Sequence, residues 1–417
     1  MQDKSDYSKK SGWSLLNIAF AIFLFFAFIY PMPTCSQFGF ISPIIVGLLF
    51  IILCLNFFMS EVTLYWNRFT KDIFVVFLLL LFSETLCLLF FDPIQQLPYL
   101  LARVALLIIF LSGLSFLPCS TNLDRLLKIY CSSIIILSIL TVCQGLSFVE
   151  LGSRIRPARI FFGVEMPFMK ASGVDMSYGE FGIMTVPAFL FFFLQFFPKS
   201  GIKPQKGRLL AIMVIALALF VSQSRSIWLG LILSISTIIF MLTKRKRHKL
   251  LLIGITIVIV LGLVLNHIHA VILEGFIGEG RYKLNVLNRL ASFSLVWESF
   301  LANPLVGVGH GNLTYVVKGR DMVIHNQILD QLASTGLIGT IPLVLLYIIF
   351  LKSAIRIYLQ TNDDKLRGFS IWIFATMVYT LTGLMFYRGL YSEHLPWYFA
   401  VLGMLFGIQY GYKKVKL

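Results

Sequence analysis

IFVVFLLLLFSETLCLLFF, residues 73–91, carries one charged side chain, Glu84. As a helix, the run is long enough to cross a hydrocarbon core of about 30 Å. Similar apolar runs recur at 14–30, 40–59, 98–117, 126–146, 179–197, 208–222, 226–242, 250–266, 335–351, 369–387 and 395–411. Together they predict an all-α polytopic membrane protein of about 12 transmembrane helices.

Composition agrees. The 417 residues are 58% hydrophobic and only 13% charged, with mean hydropathy +0.87. Soluble domains are about a quarter charged, so a cytosolic or secreted domain is excluded. The net charge of +16 does not point to nucleic acid. Most Lys and Arg sit in short connectors beside apolar runs, where they fix topology and meet anionic head groups. Cys54, Cys87, Cys131 and Cys143 fall inside predicted spans, which suits small packing residues rather than a disulfide framework or a zinc site. The first run follows Lys4, Lys9 and Lys10 without a small-residue cleavage site, and reads as an uncleaved span.

The basic connectors alternate along the chain. Lys9/Lys10, Arg68/Lys71, Arg125/Lys128, Lys199 to Arg208, Lys244 to Lys249, Lys352 to Arg367 and Lys413 to Lys416 all fall on one side. The positive-inside rule makes that side cytoplasmic and places both termini there. Two outer segments are long. One runs from Ser147 to Tyr178 and carries Arg154, Arg156 and Arg159. The other, Asn266 to Ser334, is the largest segment outside the spans. The chain thus divides into N-terminal spans (1–265), a large outer loop (266–334) and C-terminal spans (335–417). No internal repeat relates its halves, unlike many transporters.

Within the large loop, Asn285, Asn288, Arg289, Ser292 and Ser299 share an arc of a helical wheel. Val286, Leu290, Phe293, Trp297, Phe300 and Leu301 lie opposite, and Val296 is the exception on the polar arc. This predicts an amphipathic helix at the membrane surface with Arg289 toward water. Asn303-Pro304 ends it, and Gly307, Gly309 and Gly311 around His310 suit a tight backbone excursion. A second short helix is expected from His325-Asn326 through Gln327, Leu329 and Leu332 into the next span.

Arg225, in a Ser-Gln-Ser-Arg-Ser turn at 222–226, is a snorkelling interfacial residue or a fixed cation for a phosphate. Arg281 and Arg289 meet lipid head groups or substrate. His325 is a general base or a hydrogen-bonded interface histidine; His310 is explained as well by its turn. Glu84 and Arg103 lie in neighbouring spans of one hairpin, both in the outer half, and read best as a buried ion pair. No Cys/His spacing suggests a metal site.

The ordered set resembles a known family. The Ser-Arg turn is followed by Arg289, then NPLVGVGHGN at 303–312, HNQILD at 325–330 and STGLIG at 334–339. This closely resembles the O-antigen ligase and polymerase superfamily of bacterial envelopes. The resemblance implies a GT-C type fold and an inverting, metal-independent glycosyltransferase without cofactors, acting in lipopolysaccharide biosynthesis. It implies a donor glycan on undecaprenyl pyrophosphate at the outer, periplasmic face of the inner membrane. The acceptor would be lipid A–core in a ligase, or another lipid-linked glycan in a polymerase. The family's two essential arginines map onto Arg225 and Arg289, and its histidine onto His325. Arg281 matches a further loop arginine, while His310, Asn326, Arg154, Arg156 and Arg159 are candidates for binding pyrophosphate or glycan. An arginine followed by glycine eleven residues on, seen in some polymerases, is missing at Arg154, Arg156, Arg159 and Arg281, which favours ligase. A flippase or other transporter of lipid-linked oligosaccharide is the rival from another class. It would be expected to carry charges deep in several spans.

Overall fold

The structure is a computed structural model. It describes residues 68–93, 96, 97, 99, 100, 103, 104, 107, 120–148, 160, 161, 164, 165, 171, 178–245, 247–250, 252–258, 261, 262, 281–310, 312, 315–317, 320–322, 324 and 326–385. The expected spans at 14–30, 40–59 and 395–411 lie outside these, and those at 98–117, 250–266 and 369–387 are described in part.

Within the described residues the chain is helical apart from two short ribbons. Its elements are α1 (Arg68–Phe90), α2 (Ser120–Gly145), α3 (Tyr178–Leu194), α4 (Arg208–Val221), α5 (Arg225–Leu242), α6 (Arg281–Ala302), α7 (Gln327–Gln360) and α8 (Asp364–Leu384). Two antiparallel ribbons interrupt them: β1 (Ile160–Phe161) with β2 (Val164–Glu165), and β3 (Tyr315–Val317) with β4 (Arg320–Met322). Lys71–Phe90, Leu127–Gly145 and Gln327–Gln360 are long and apolar enough to cross a membrane. Phe181–Leu194, Arg208–Val221 and Ser226–Leu242 are shorter apolar helices. With the composition, these make the chain a membrane protein.

Hydrogen bonds from polar side chains to carbonyls tie the helices together where no water competes. Tyr130 Oη donates to Met184 O at 2.8 Å, joining α2 to α3. Trp372 Nε1 donates to Pro187 O at 2.7 Å, joining α8 to α3. Ser234 Oγ donates to Ala375 O at 2.9 Å, joining α5 to α8. Glycine lets these helices approach closely: a Cβ at Gly230 would sit 2.7 Å from the Tyr379 ring, and one at Gly182 would meet the Tyr379 hydroxyl. Tyr379 therefore fills a slot between α3 and α5 that only small residues leave open.

The helix predicted over 285–301 of the large loop is α6, and it extends both ways. Its apolar arc points outward as expected, but what lies against its polar arc differs from the expectation. Phe293, Trp297 and Leu301 are exposed on the bundle surface, where lipid would lie. The opposite arc faces protein rather than water: Ser292 and Val296 are buried, and Val296 packs with Ile324 and Ala333. That contact explains the apolar Val296 on an otherwise polar stripe. The backbone of Arg289 belongs to the same stripe by register, three residues before Ser292.

The second short helix is also present, as the first segment of α7. Asn326 caps it, its side-chain oxygen accepting from Ile328 N and Leu329 N at 3.1 Å each. The helix then breaks at Gly336 (φ 60°, ψ −156°) and resumes as the span.

Candidate functional site

The break at Gly336 is completed by the glycine loop that follows α6. In an unbroken helix Leu337 N and Ile338 N would bond to Ala333 O and Ser334 O. Instead they donate to Pro304 O at 2.9 Å and Leu305 O at 3.2 Å. The two carbonyls so released accept from Val308 N and Gly309 N, both at 2.9 Å. Four backbone groups are exchanged between two segments, and each finds a partner. The exchange requires glycine on both sides. Gly307 (φ 73°) lies against the Ala333 and Ser334 carbonyls, and Gly336 against Leu305.

This loop aims His310 inward, and the residue is buried. Its Nε2 lies 2.8 Å from Glu84 Oε2, and its ring stacks on Tyr99 at 4.3 Å between centroids. The Gln96 side chain grips its backbone, accepting from His310 N and donating to His310 O, both at 2.9 Å. The other Glu84 oxygen accepts from Arg103 Nε at 3.1 Å, so the expected pair is formed. Arg103 Nη2 donates in turn to Gln331 Oε1 at 3.0 Å, and Gln331 Nε2 to Thr335 Oγ1 at 2.7 Å. Glu84, Arg103, Gln331 and Thr335 are all buried. A buried carboxylate with two oxygens needs more than one donor, and that was the signal from which a third member beyond Arg103 could have been sought.

Asn326 is half-buried, and both ends of its side chain are engaged. Besides capping α7, it donates through Nδ2 to Met385 O at 3.2 Å, just beyond α8. The register of α8 against α5 gives that contact its significance. Gly230 faces Tyr379 and Ser234 faces Ala375, so the two helices run antiparallel. Continued toward the start of α5, the register brings Arg225 level with the end of α8 at Leu384. The turn at Arg225 and the start of α7 therefore lie at one end of the bundle. That turn is tight and buried: Ser222, Gln223 and Ser224 are buried, and Gln223 takes φ 48°. Arg225 is the first residue of α5. Arg281 and Arg289 are in the first half of α6, which packs on α7.

The remaining expectations fall elsewhere. His325, Arg154, Arg156 and Arg159 lie outside the described residues; Ile324, beside His325, is fully buried. Among the described residues, no three His, Cys, Asp or Glu side chains gather at one point.

The segment containing these features matches a known family. Residues 210–344 match the model of the O-antigen ligase family. Over this segment the chain is similar to the O-antigen ligase family. It runs from the third residue of α4 through the Arg225 turn, α6, the glycine loop and the break in α7. A search of curated proteins finds no match to the chain. The similarity of this segment to the O-antigen ligase family supports an enzyme in general.

Proposed function

We propose that the chain is an inverting, metal-independent glycosyltransferase of the bacterial inner membrane, with its active site on the periplasmic side. It moves a glycan from undecaprenyl pyrophosphate onto lipid A–core, as an O-antigen ligase. What supports this reading most is the antiparallel register of α5 and α8. It sets the Arg225 turn beside the segment that begins after His325.

The chemistry needs a cation where the leaving pyrophosphate gains charge. Arg225 and Arg289 supply it, each with a planar fork that matches phosphate oxygens. Because charge grows as the glycosidic bond breaks, they stabilise the transition state more than the bound donor. Guanidinium groups then do the work that a divalent cation does elsewhere, and no cofactor is required. His325 takes the proton of the acceptor hydroxyl as its oxygen attacks the anomeric carbon from the face opposite the pyrophosphate. Arg281, Arg154, Arg156 and Arg159 bind the pyrophosphate or glycan of the anionic donor, and the exposed apolar face of α6 rests in lipid. Asn326, engaged as a cap, orients His325 rather than touching substrate.

The lipopolysaccharide pattern of a deletion strain tests the assignment. A ligase deletion removes every capped species and accumulates lipid-linked polymer. Core carrying a single repeat unit would identify a polymerase. Reconstituted protein that moves lipid-linked glycan across liposomes without making glycosidic bonds would identify a transporter.

A further inference from the structure

We infer that Glu84, Arg103, Gln331, Thr335 and His310 form one positioning unit, which sets the location of the short helix that follows His325. The inference rests on the transferase reading for its catalytic consequence, but not for its geometry. Four chain segments meet at the unit. Glu84 belongs to α1, and Arg103 and Gln96 to the helical stretch within 93–107. His310 ends the glycine loop, while Gln331 and Thr335 belong to the first segment of α7. The bonds run without a gap from the His310 ring to Glu84, Arg103, Gln331 and Thr335, at 2.8, 3.1, 3.0 and 2.7 Å.

Packing alone would hold these segments less selectively. The backbone exchange at Gly336 ties the loop to α7, yet both could shift together relative to α1. The buried chain removes that freedom, because moving α7 against α1 would separate Arg103 from Gln331 and strand a buried guanidinium. Asn326 lies less than two helical turns before Gln331, so its position, and that of the residue before it, follows from the anchor. A general base must be held to within a fraction of an ångström of its productive position to act, and substrate binding tolerates more. Loss of the anchor therefore lowers kcat more than it raises the donor KM.

None of the five is a catalytic residue in this account; each acts through the segment it fixes. The mildest test breaks the far link and leaves the ion pair whole. Thr335→Val removes the hydroxyl at constant shape, and Thr335→Ser restores it. In liposomes with undecaprenyl-pyrophosphate-linked glycan and lipid A–core, Thr335→Val lowers kcat about 10-fold, keeps donor KM within about twofold, and Thr335→Ser recovers most of the loss. Glu84→Gln and His310→Gln lower kcat further, and the double variant loses no more than the worse single one, since both break one unit. Hydrogen exchange of amides 327–335, measured on the same proteins without substrate, speeds up in Thr335→Val and in Glu84→Gln.

Wild-type kcat and wild-type exchange in Thr335→Val overturn the inference, as do multiplicative losses in the double variant. Should Glu84→Gln fail to fold, the Thr335 pair still decides. If wild-type protein forms no glycosidic bond, the transferase reading falls, and the exchange rates judge the positioning unit independently.

Discussion

Val308 donates its amide hydrogen to the carbonyl of Ala333 at 2.9 Å, the acceptor that Leu337 would use in a continuous helix. The bond marks where a loop outside the spans takes over part of a transmembrane helix. A break at membrane depth is tolerated only when protein satisfies the freed groups, and the loop at 304–309 does so. The site is thus built on a helix that has been opened and refilled.

Gly336→Ala should prevent that refilling. Gly336 combines φ 60° with ψ −156°, a region open essentially to glycine, and a Cβ there would collide with Leu305. The backbone penalty alone is about 1–3 kcal/mol, before the collision. Thermal unfolding in detergent should show a clear loss of stability. Gly254→Ala is the control: its Cβ would meet nothing within 4 Å, and alanine suits a helix better.

Asn326 can be dissected by two substitutions. Asn326→Ala removes the cap and the link to Met385, and should cost about 1 kcal/mol through the cap alone. Asn326→Asp keeps an oxygen for Ile328 N and Leu329 N but has no amide hydrogen for Met385 O. Transfer assays beside thermal unfolding should show that Asn326→Asp retains stability yet loses activity, because α7 is no longer tied to the end of α8.

Trp297 is 58% exposed on α6, whereas Trp372 is fully buried. With either as the only tryptophan, brominated lipid should quench Trp297 strongly and Trp372 weakly. Quenching of Trp297 by a water-soluble agent instead would mean that this face of α6 meets solvent.

Much of this was legible in sequence. The runs at 208–222 and 226–242 become α4 and α5 almost residue for residue, because apolar stretches bounded by charge leave little choice. The pairing of Glu84 with Arg103 followed from the cost of a lone charge in a span. What lies against the polar arc of α6 did not follow. A helical period identifies two faces but not what lies against each, and only Val296 hinted that its polar arc packs on protein. His310 was read as part of a turn because its partner Glu84 is 226 residues away, and no local pattern encodes so distant a contact. The β3–β4 ribbon, three residues per strand, was equally silent.

Arg225→Lys should separate charge from geometry. The ammonium retains the positive charge but cannot present two parallel donors to a phosphate. Donor turnover should fall about 10-fold or more, and Arg225→Ala should fall about 10²–10³-fold, as when a transition-state donor is removed. Equal activity of Arg225→Lys and wild type would leave only a generic cation at this turn.

Glycan transfer by purified protein tests the central claim most directly. Wild-type chain, Arg225→Ala and His325→Ala are each reconstituted with undecaprenyl-pyrophosphate-linked glycan and lipid A–core, with a chelator present. The account predicts a new glycosidic bond to lipid A–core from wild type alone. Normal transfer by either variant, or dependence of wild type on a divalent cation, would contradict it.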